Sequence, residues 1–237
     1  YAVTVNGSPV IGGTLSATVG GTSALSVSID GSTVTGGTWS DNSSHISIDP
    51  STGVVTAASS ITGSSQTATV TYTHTTGCEA TATFTVYAAP AVTSTVTDVC
   101  VGSSITLSAT PSGGSWTGND ATVATVTSSG VVTGVAAGTV SATYTDAYGG
   151  TSSVSVTVHA LPVYSTTAAT AVCVGDNLSL SATPVGGTWS LVGTTNKATL
   201  SGSTLSANSA GTVTVRYTTS TGCYVDQQIT LNGLPAV

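Results

Sequence analysis

Three times in 237 residues the chain spells two glycines, a hydroxyl residue and a tryptophan, ending at Trp39, Trp116 and Trp189. The spacings are 77 and 73 residues (39 to 116, then 116 to 189). A Tyr-Thr pair follows each tryptophan, at Tyr72, Tyr144 and Tyr217, and a Pro-containing segment closes each round at 87–90, 159–162 and 232–235. A similar segment, 5–9, stands near the start. Recurrence at a fixed period marks one supersecondary unit copied in tandem. The chain therefore reads as a first repeat at 9–89, a second at 90–160 and a third at 161–237. Residues 1–8 precede them as the last strand of an earlier repeat or as a donor strand, because Tyr1–Val5 resembles the closing strands at 84–86 and 156–158. With no initiator Met at Tyr1, the expectation is a processed product or a segment of a longer array.

Within a repeat the apolar residues alternate with Ser and Thr, as in Ser-Val-Ser-Val-Thr-Val at 153–158. Period-two alternation is the signal of a half-buried strand, and Val and Thr are stiff at χ1 and suit strands. Gly and Pro fall between the runs, where turns belong. In the second repeat this predicts seven strands near 92–98, 103–110, 114–117, 122–127, 130–135, 139–146 and 151–158. Seven short strands at regular spacing predict a sandwich. A 75-residue core is marginal by itself, so neighbours or cross-links are expected to support it.

Composition narrows the function classes. Only 5% of residues are charged, and the formal charge is -7 with two basic residues, Lys197 and Arg216. Ser and Thr together number 85, so hydroxyls take over the solvation that ions supply elsewhere. Nucleic acid is excluded as a partner, since phosphate binding needs clustered Lys and Arg. No run of about 18 apolar residues exists to span a bilayer as a helix.

The run 113–145, with Val-Ala-Thr-Val at 123–126, Gly-Val-Val-Thr-Gly at 130–134 and Ala-Gly-Thr at 137–139, resembles the bacterial immunoglobulin-like group 2 domain. The first repeat keeps part of it at 51–56 and the third keeps less, at 198–200, 204–207 and 210–212. The pieces Val-Cys-Val-Gly (99–102, 172–175) and Thr-Gly-Cys (76–78, 221–223) are similar to the giant repeat-bearing surface proteins of Bacteroidetes. The resemblance implies three tandem immunoglobulin-like β-sandwiches in an extended rod. It also implies an extracellular location on a bacterial cell surface, and a stalk, adhesin or filament role.

Four cysteines occupy two places in the repeat. Cys100 and Cys173 fall in the first turn, where the first repeat has Thr18; Cys78 and Cys223 fall in the hairpin before the last strand, where the second repeat has Gly150. An exported chain is expected to hold them as disulfides. In an immunoglobulin-like sandwich these turns lie at opposite ends, a strand length of roughly 20 Å apart, against the ~7 Å Cα limit of a disulfide. Pairing then runs between repeats: Cys100 with Cys223, leaving Cys78 and Cys173 for neighbouring repeats or other copies of the chain. The rival is a bond within the third repeat, Cys173–Cys223, with Cys78 and Cys100 unpaired or bonded to each other.

Trp39, Trp116 and Trp189, with Tyr72, Tyr144 and Tyr217 in the middle of the next-to-last strand, are expected in the core and not on a sugar. His45, His74 and His159 occupy three different places and read as loop or junction residues. Asp30, Asp41, Asp49, Asp120 and Asp146 read as turn formers, not calcium ligands. The Asn-x-Ser triplets at Asn6, Asn42 and Asn177 read as chance in a bacterial chain. No catalytic, cofactor-binding or metal-ligating set is identifiable. The expectation is a non-enzymatic structural segment with no cofactor, its partners being neighbouring repeats or its own copies. Two alternatives are a glycan- or surface-binding module, using a loop near 29–35, and a protomer that polymerises by donating Tyr1–Val5.

Overall fold

The computed structural model describes residues 7–165, 169–193 and 196–234. Strand donation by Tyr1–Val5, the Asn6 triplet and the final Pro235 lie outside them. Among the described residues there is no helix, and the chain is all-β, built as tandem β-sandwiches. It packs as two compact units. One takes in the chain up to Ser94 with Ser108–Thr117 and Thr143–Val154; the other holds Thr95–Leu107, Gly118–Ala142 and the chain from Ser155.

The first repeat lies wholly in the first unit and shows how alternation becomes a sandwich. One sheet runs in the order Ser16–Thr18, Glu79–Tyr87, Ser65–Thr73, Thr38–Asp41; the other runs Val10–Gly13, Thr22–Ile29, Val54–Ala57, Ile46–Ile48. Along Thr22–Ile29 every second residue is buried: Ser23, Leu25 and Val27. Leu25 and Val27 meet Val70 and Tyr72 from the strand Ser65–Thr73, together with Phe84 and Val86, in one core cluster. Burying such side chains stabilises by about 1.5–3 kcal/mol each.

In the second unit the third repeat repeats this plan. One sheet is ordered Ala171–Cys173, Tyr224–Asn232, Gly211–Thr218, Thr188–Leu191, and the other Asn177–Ser179, Thr204–Ala207, Ala198–Ser201. Leu178, Leu205, Val213, Val215, Ile229 and Leu231 form its core.

The expected first strands are not continuous. In place of 92–98 there are Ala91–Val92, antiparallel to Ala109–Thr110, and Asp98–Cys100, parallel to Thr157–His159 of the last strand. The expected 103–110 divides into Ser104–Thr106 and Ala109–Thr110. The opening segment thus changes partner partway, which a run of alternating Val and Thr does not reveal. In the first repeat the change falls at Gly13, whose φ of 102° is left-handed and whose added Cβ would lie 2.7 Å from the Ala24 carbonyl oxygen. Glycine is required there on both counts.

Candidate functional site: two repeat junctions

Aromatic anchors hold the hairpins that form the junctions. Trp39 lies opposite Tyr72 across the strands, with ring centroids 5.0 Å apart at 60°. Trp189 lies opposite Tyr217 at 4.8 Å, and Trp116 lies 5.2 Å from Tyr144. Such pairs add about 0.5–1.5 kcal/mol beyond area burial. The tyrosines are not mid-strand as expected. Each is the penultimate residue of its strand, where its hydroxyl reaches the Gly-Gly turn that precedes the tryptophan. Gly114 N–H donates to Tyr144 Oη at 2.7 Å, and that hydroxyl donates to the Pro111 carbonyl at 2.6 Å. Gly187, Tyr217 and Pro184 repeat the bridge at 2.7 and 2.6 Å, and Gly37 donates to Tyr72 at 3.1 Å. A Cβ at Gly37, Gly114 or Gly187 would collide with the tyrosine ring, which explains the recurrent second glycine.

Trp39 and Trp116 are buried. Trp189 is only half-buried and packs at the edge of its core. It lines an open cavity of about 570 Å³ with Leu180, Leu200 and Tyr217. In the first repeat the Gly53 backbone covers the indole, an added Cβ there lying 2.7 Å from Trp39 Cε2; the third repeat has Ser203 at the matching place, its carbonyl accepting from Leu180 N–H as that of Gly53 accepts from Leu25.

Each junction brings a first turn against a hairpin. Within the second unit, Cys100 is the last residue of the strand Asp98–Cys100, not a free turn residue as expected; it lies opposite His159. It is bonded to Cys223, with Cα atoms 5.6 Å apart. Cys223 is fully buried in the hairpin between Gly211–Thr218 and Tyr224–Asn232. The bond joins residues 123 apart and ties the second repeat to the third. His159, expected in a loop or junction, ends a strand, and its Nε2 lies 2.7 Å from Asp98 Oδ1 beside the disulfide.

Within the first unit the equivalent positions carry Thr18 and Gly150. A Cβ on Gly150 would stand 2.8 Å from both Thr18 Cγ2 and Pro90 Cδ, so the Gly150 backbone packs directly against those two side chains. Thr18 Oγ1 donates to the Tyr148 carbonyl at 3.4 Å. Tyr148 in turn stacks on Tyr87 of the first repeat, centroids 3.5 Å apart at 10°. Its hydrogen bond to the Tyr148 side chain holds the Tyr87 phenol above its ordinary value. Asp146 is buried; its Oδ1 accepts the N–H groups of Tyr148 and Gly150, both at 2.8 Å, while Oδ2 has no hydrogen-bond partner. The linker prolines Pro90 and Pro162 are both buried.

No protein-family model matches the chain, and no curated protein matches it. Solved structures do match. A C-terminal 282-residue fragment of intimin, in complex with the intimin-binding domain of the translocated intimin receptor, is 14% identical, with a TM-score of 0.44 over 70% of this chain and 68% of that one. Sidekick-1 immunoglobulin domains 1–5 are 14% identical, with a TM-score of 0.30 over 97% of this chain and 60% of that one. Domains 1–6 of the surface-layer protein SbsC are 16% identical, with a TM-score of 0.29 over 100% of this chain and 42% of that one. The chain thus spans less than two thirds of the last two. The sandwich rests on this chain's own strand pairing.

The remaining polar candidates have local duties. Asp49 Oδ1 accepts from the N–H groups of Thr52 and Ser51 and from the Ser51 hydroxyl, and the Thr52 bond leads in holding its carboxyl down at about 2. Asp120 is lowered in the same way by Thr122. Asp41 accepts from Ser43 N–H, and Asp30 takes a left-handed φ of 51° in the turn between Thr22–Ile29 and Ser32–Thr33. The loop expected near 29–35 is therefore mostly this tight hairpin. Asn42 and Asn119 each accept a strand N–H, from Thr69 and Ser141, and Asn177 accepts from Ser206. Ring contact brings His74 6.4 Å from Tyr72, while His45 N–H bonds Ser43. Among the described residues no three His, Cys, Asp or Glu converge to hold a metal. The sequence signal for the junction contacts was the vacancy pattern itself: cysteine absent at 18 and 150 together, present at 100 and 223 together. Nothing in the sequence pointed to Tyr87, Tyr148 or the burial of Asp146.

Proposed function

We propose that this chain is a structural repeat segment of an extracellular filament or adhesin stalk on a bacterial cell surface, of the bacterial immunoglobulin-like group 2 kind. It carries no enzymatic activity and binds no cofactor. Its work is mechanical: sandwiches supply rigid beads, and the junctions resist hinging between them. The observation that supports this reading is that one junction position is closed twice by different chemistry, by Cys100–Cys223 in one place and by Thr18 against Gly150 in the other. A disulfide typically contributes about 2–4 kcal/mol and persists only in an oxidising compartment. Mapping cystines in native, alkylated material tests the reading. An intact Cys100–Cys223 supports it, and a reduced pair in native material overturns it.

An adhesive module is the second reading, favoured by the half-exposed Trp189 beside its open cavity. Indole faces suit sugar rings, so a glycan array probed with the chain and with Trp189→Ala separates the two. Binding lost in the variant supports adhesion, and no binding by either leaves the stalk. Polymerisation by strand donation is tested by deleting residues 1–5, since fibres that persist exclude it.

A further inference from the structure

We infer that the two unpaired cysteines are the halves of a third junction, in which Cys173 of one copy of this chain bonds Cys78 of the next, head to tail. This rests on the junction reading above. Cys78 and Cys173 form no disulfide within the chain, Cys173 is exposed and Cys78 is half-exposed.

Their backbones match those of the bonded pair. Cys173, like Cys100, ends a three-residue strand parallel to the last strand of its repeat, opposite Asn232 where Cys100 faces His159. The residue after each donates to the carbonyl of that opposite residue: Val174 to Asn232 at 2.9 Å, Val101 to His159 at 3.0 Å. Each cysteine carbonyl then accepts from three residues on, Asp176 at 3.0 Å and Ser103 at 2.9 Å, around left-handed glycines at φ 93° and 80°. Cys78 repeats Cys223 as closely. Its carbonyl accepts from His74 at 2.8 Å, as Cys223 accepts from Thr219 at 2.9 Å, and Gly77 and Gly222 precede them at φ 83° and 85°. Backbone this similar aims the Cβ vectors alike, and disulfide formation is decided by those vectors and the Cα separation.

Direction follows from the template. Cys100 of an earlier repeat takes the hairpin cysteine of the repeat after it. Cys173 belongs to the third repeat, so it takes the hairpin of a following repeat. Cys78, in the first repeat, is a hairpin cysteine awaiting a first turn before it. End-to-end copies supply both halves at one joint, and the pairing is heterologous, so it propagates instead of closing. Oxidation requires a co-reactant, and a low-molecular-weight disulfide balances it. The Cys78 thiolate attacks the reagent, releasing one thiol and forming a mixed disulfide. The Cys173 thiolate of the preceding copy then attacks the Cys78 sulfur and releases the second thiol. Two protein thiols lose two electrons and two protons, and the reagent disulfide becomes two thiols.

The test uses the full chain with Cys100–Cys223 intact, oxidised glutathione as the reagent, and two variants, Cys78→Ser and Cys173→Ser. The wild-type chain is expected to give a ladder of covalent multimers on a non-reducing gel. Each variant alone stays largely monomeric, and an equimolar mixture of the two stops at heterodimers, whose cystine peptide joins 78 to 173. Homodimers through Cys78–Cys78 or Cys173–Cys173 at statistical yield overturn the proposal, as do monomers throughout. So does native material in which either cysteine is bonded to a different sequence. An intact Cys100–Cys223 bond alongside any of these results leaves the junction reading standing, so the two failures are distinguishable.

Discussion

Thr18 and Gly150 meet at the first junction in the backbone setting that Cys100 and Cys223 occupy at the second. Val19 N–H donates to the Tyr87 carbonyl at 2.9 Å as Val101 donates to His159 at 3.0 Å, and Asp146 N–H donates to the Gly150 carbonyl as Thr219 donates to Cys223, both at 2.9 Å. Gly149 and Gly222 both turn the hairpin at positive φ, 82° and 85°. One joint thus accepts two chemistries. The glycine also makes room for Asp146, whose Oδ2 lies 2.9 Å from where a Gly150 Cβ would sit.

The first joint should therefore accept the second joint's bond. Thr18→Cys with Gly150→Cys sets two cysteines where a Gly150 Cβ already lies 2.8 Å from Thr18 Cγ2, but the Asp146 carboxylate and Pro90 crowd the site. Adding Asp146→Thr, which copies Thr219, is expected to bring oxidation to completion and raise stability by about 2–4 kcal/mol. A thiol count with calorimetry in both redox states checks it. The bond should form more fully in the triple variant than in the double.

Breaking the native bond has the opposite sign. Cys100→Ser with Cys223→Ser is expected to cost about 2–4 kcal/mol, read as an earlier denaturant midpoint, with wild type in reductant matching the variant. The site is buried at Cys223, so replacing that residue alone should be no milder than replacing both.

Removing the Tyr144 hydroxyl with Tyr144→Phe leaves the Gly114 N–H and the Pro111 carbonyl without their bridge in a half-buried turn. A cost of about 1–3 kcal/mol is expected. Tyr217→Phe should cost a similar amount, and Tyr72→Phe less, because its bond from Gly37 is longer, 3.1 Å against 2.7 Å. Chemical denaturation of the three variants in parallel ranks them.

Two pH dependences follow. Asp49 and Asp120 have folded values lowered below the ordinary 3.8, so their contribution is full above that value and is lost as pH falls, for Asp49 through about 2. Carboxyl chemical shifts titrated by NMR check this, and Asp49→Asn should remove the acid limb it causes. Tyr87 is raised above 10.0, so its contribution is full below 10.0 and is lost as pH rises through the higher folded value. Tyr148→Phe should bring the Tyr87 phenol absorbance titration back down.

Arg216, one of only two basic residues, is accounted for inside its sheet. It forks onto Asp226 directly across the strands at 2.7 and 2.8 Å and lies 3.7 Å over the Tyr224 ring. Both groups are about a third exposed, so solvent screens the pair and it adds little to stability. Its cross-strand register, like that of Trp39 with Tyr72, was not legible in the sequence, since register depends on which strands pair.

The all-β class, the turn glycines and the two places in the repeat that can carry cysteine were legible in the order of residues alone. These are local properties: strand burial has a period of two, and a left-handed turn is written into a single glycine. Only the packing of distant segments settles that Cys223 meets Cys100 and not Cys173, that the opening segment changes sheets, that Trp189 is half-exposed while Trp39 is covered by Gly53, and that Asp146 is buried. Each of these depends on atoms brought together from distant points in the chain, 123 residues apart for the disulfide. Alternating Val and Thr specify a strand and its inner face, but they do not name the partner that the strand's edge or its end will touch.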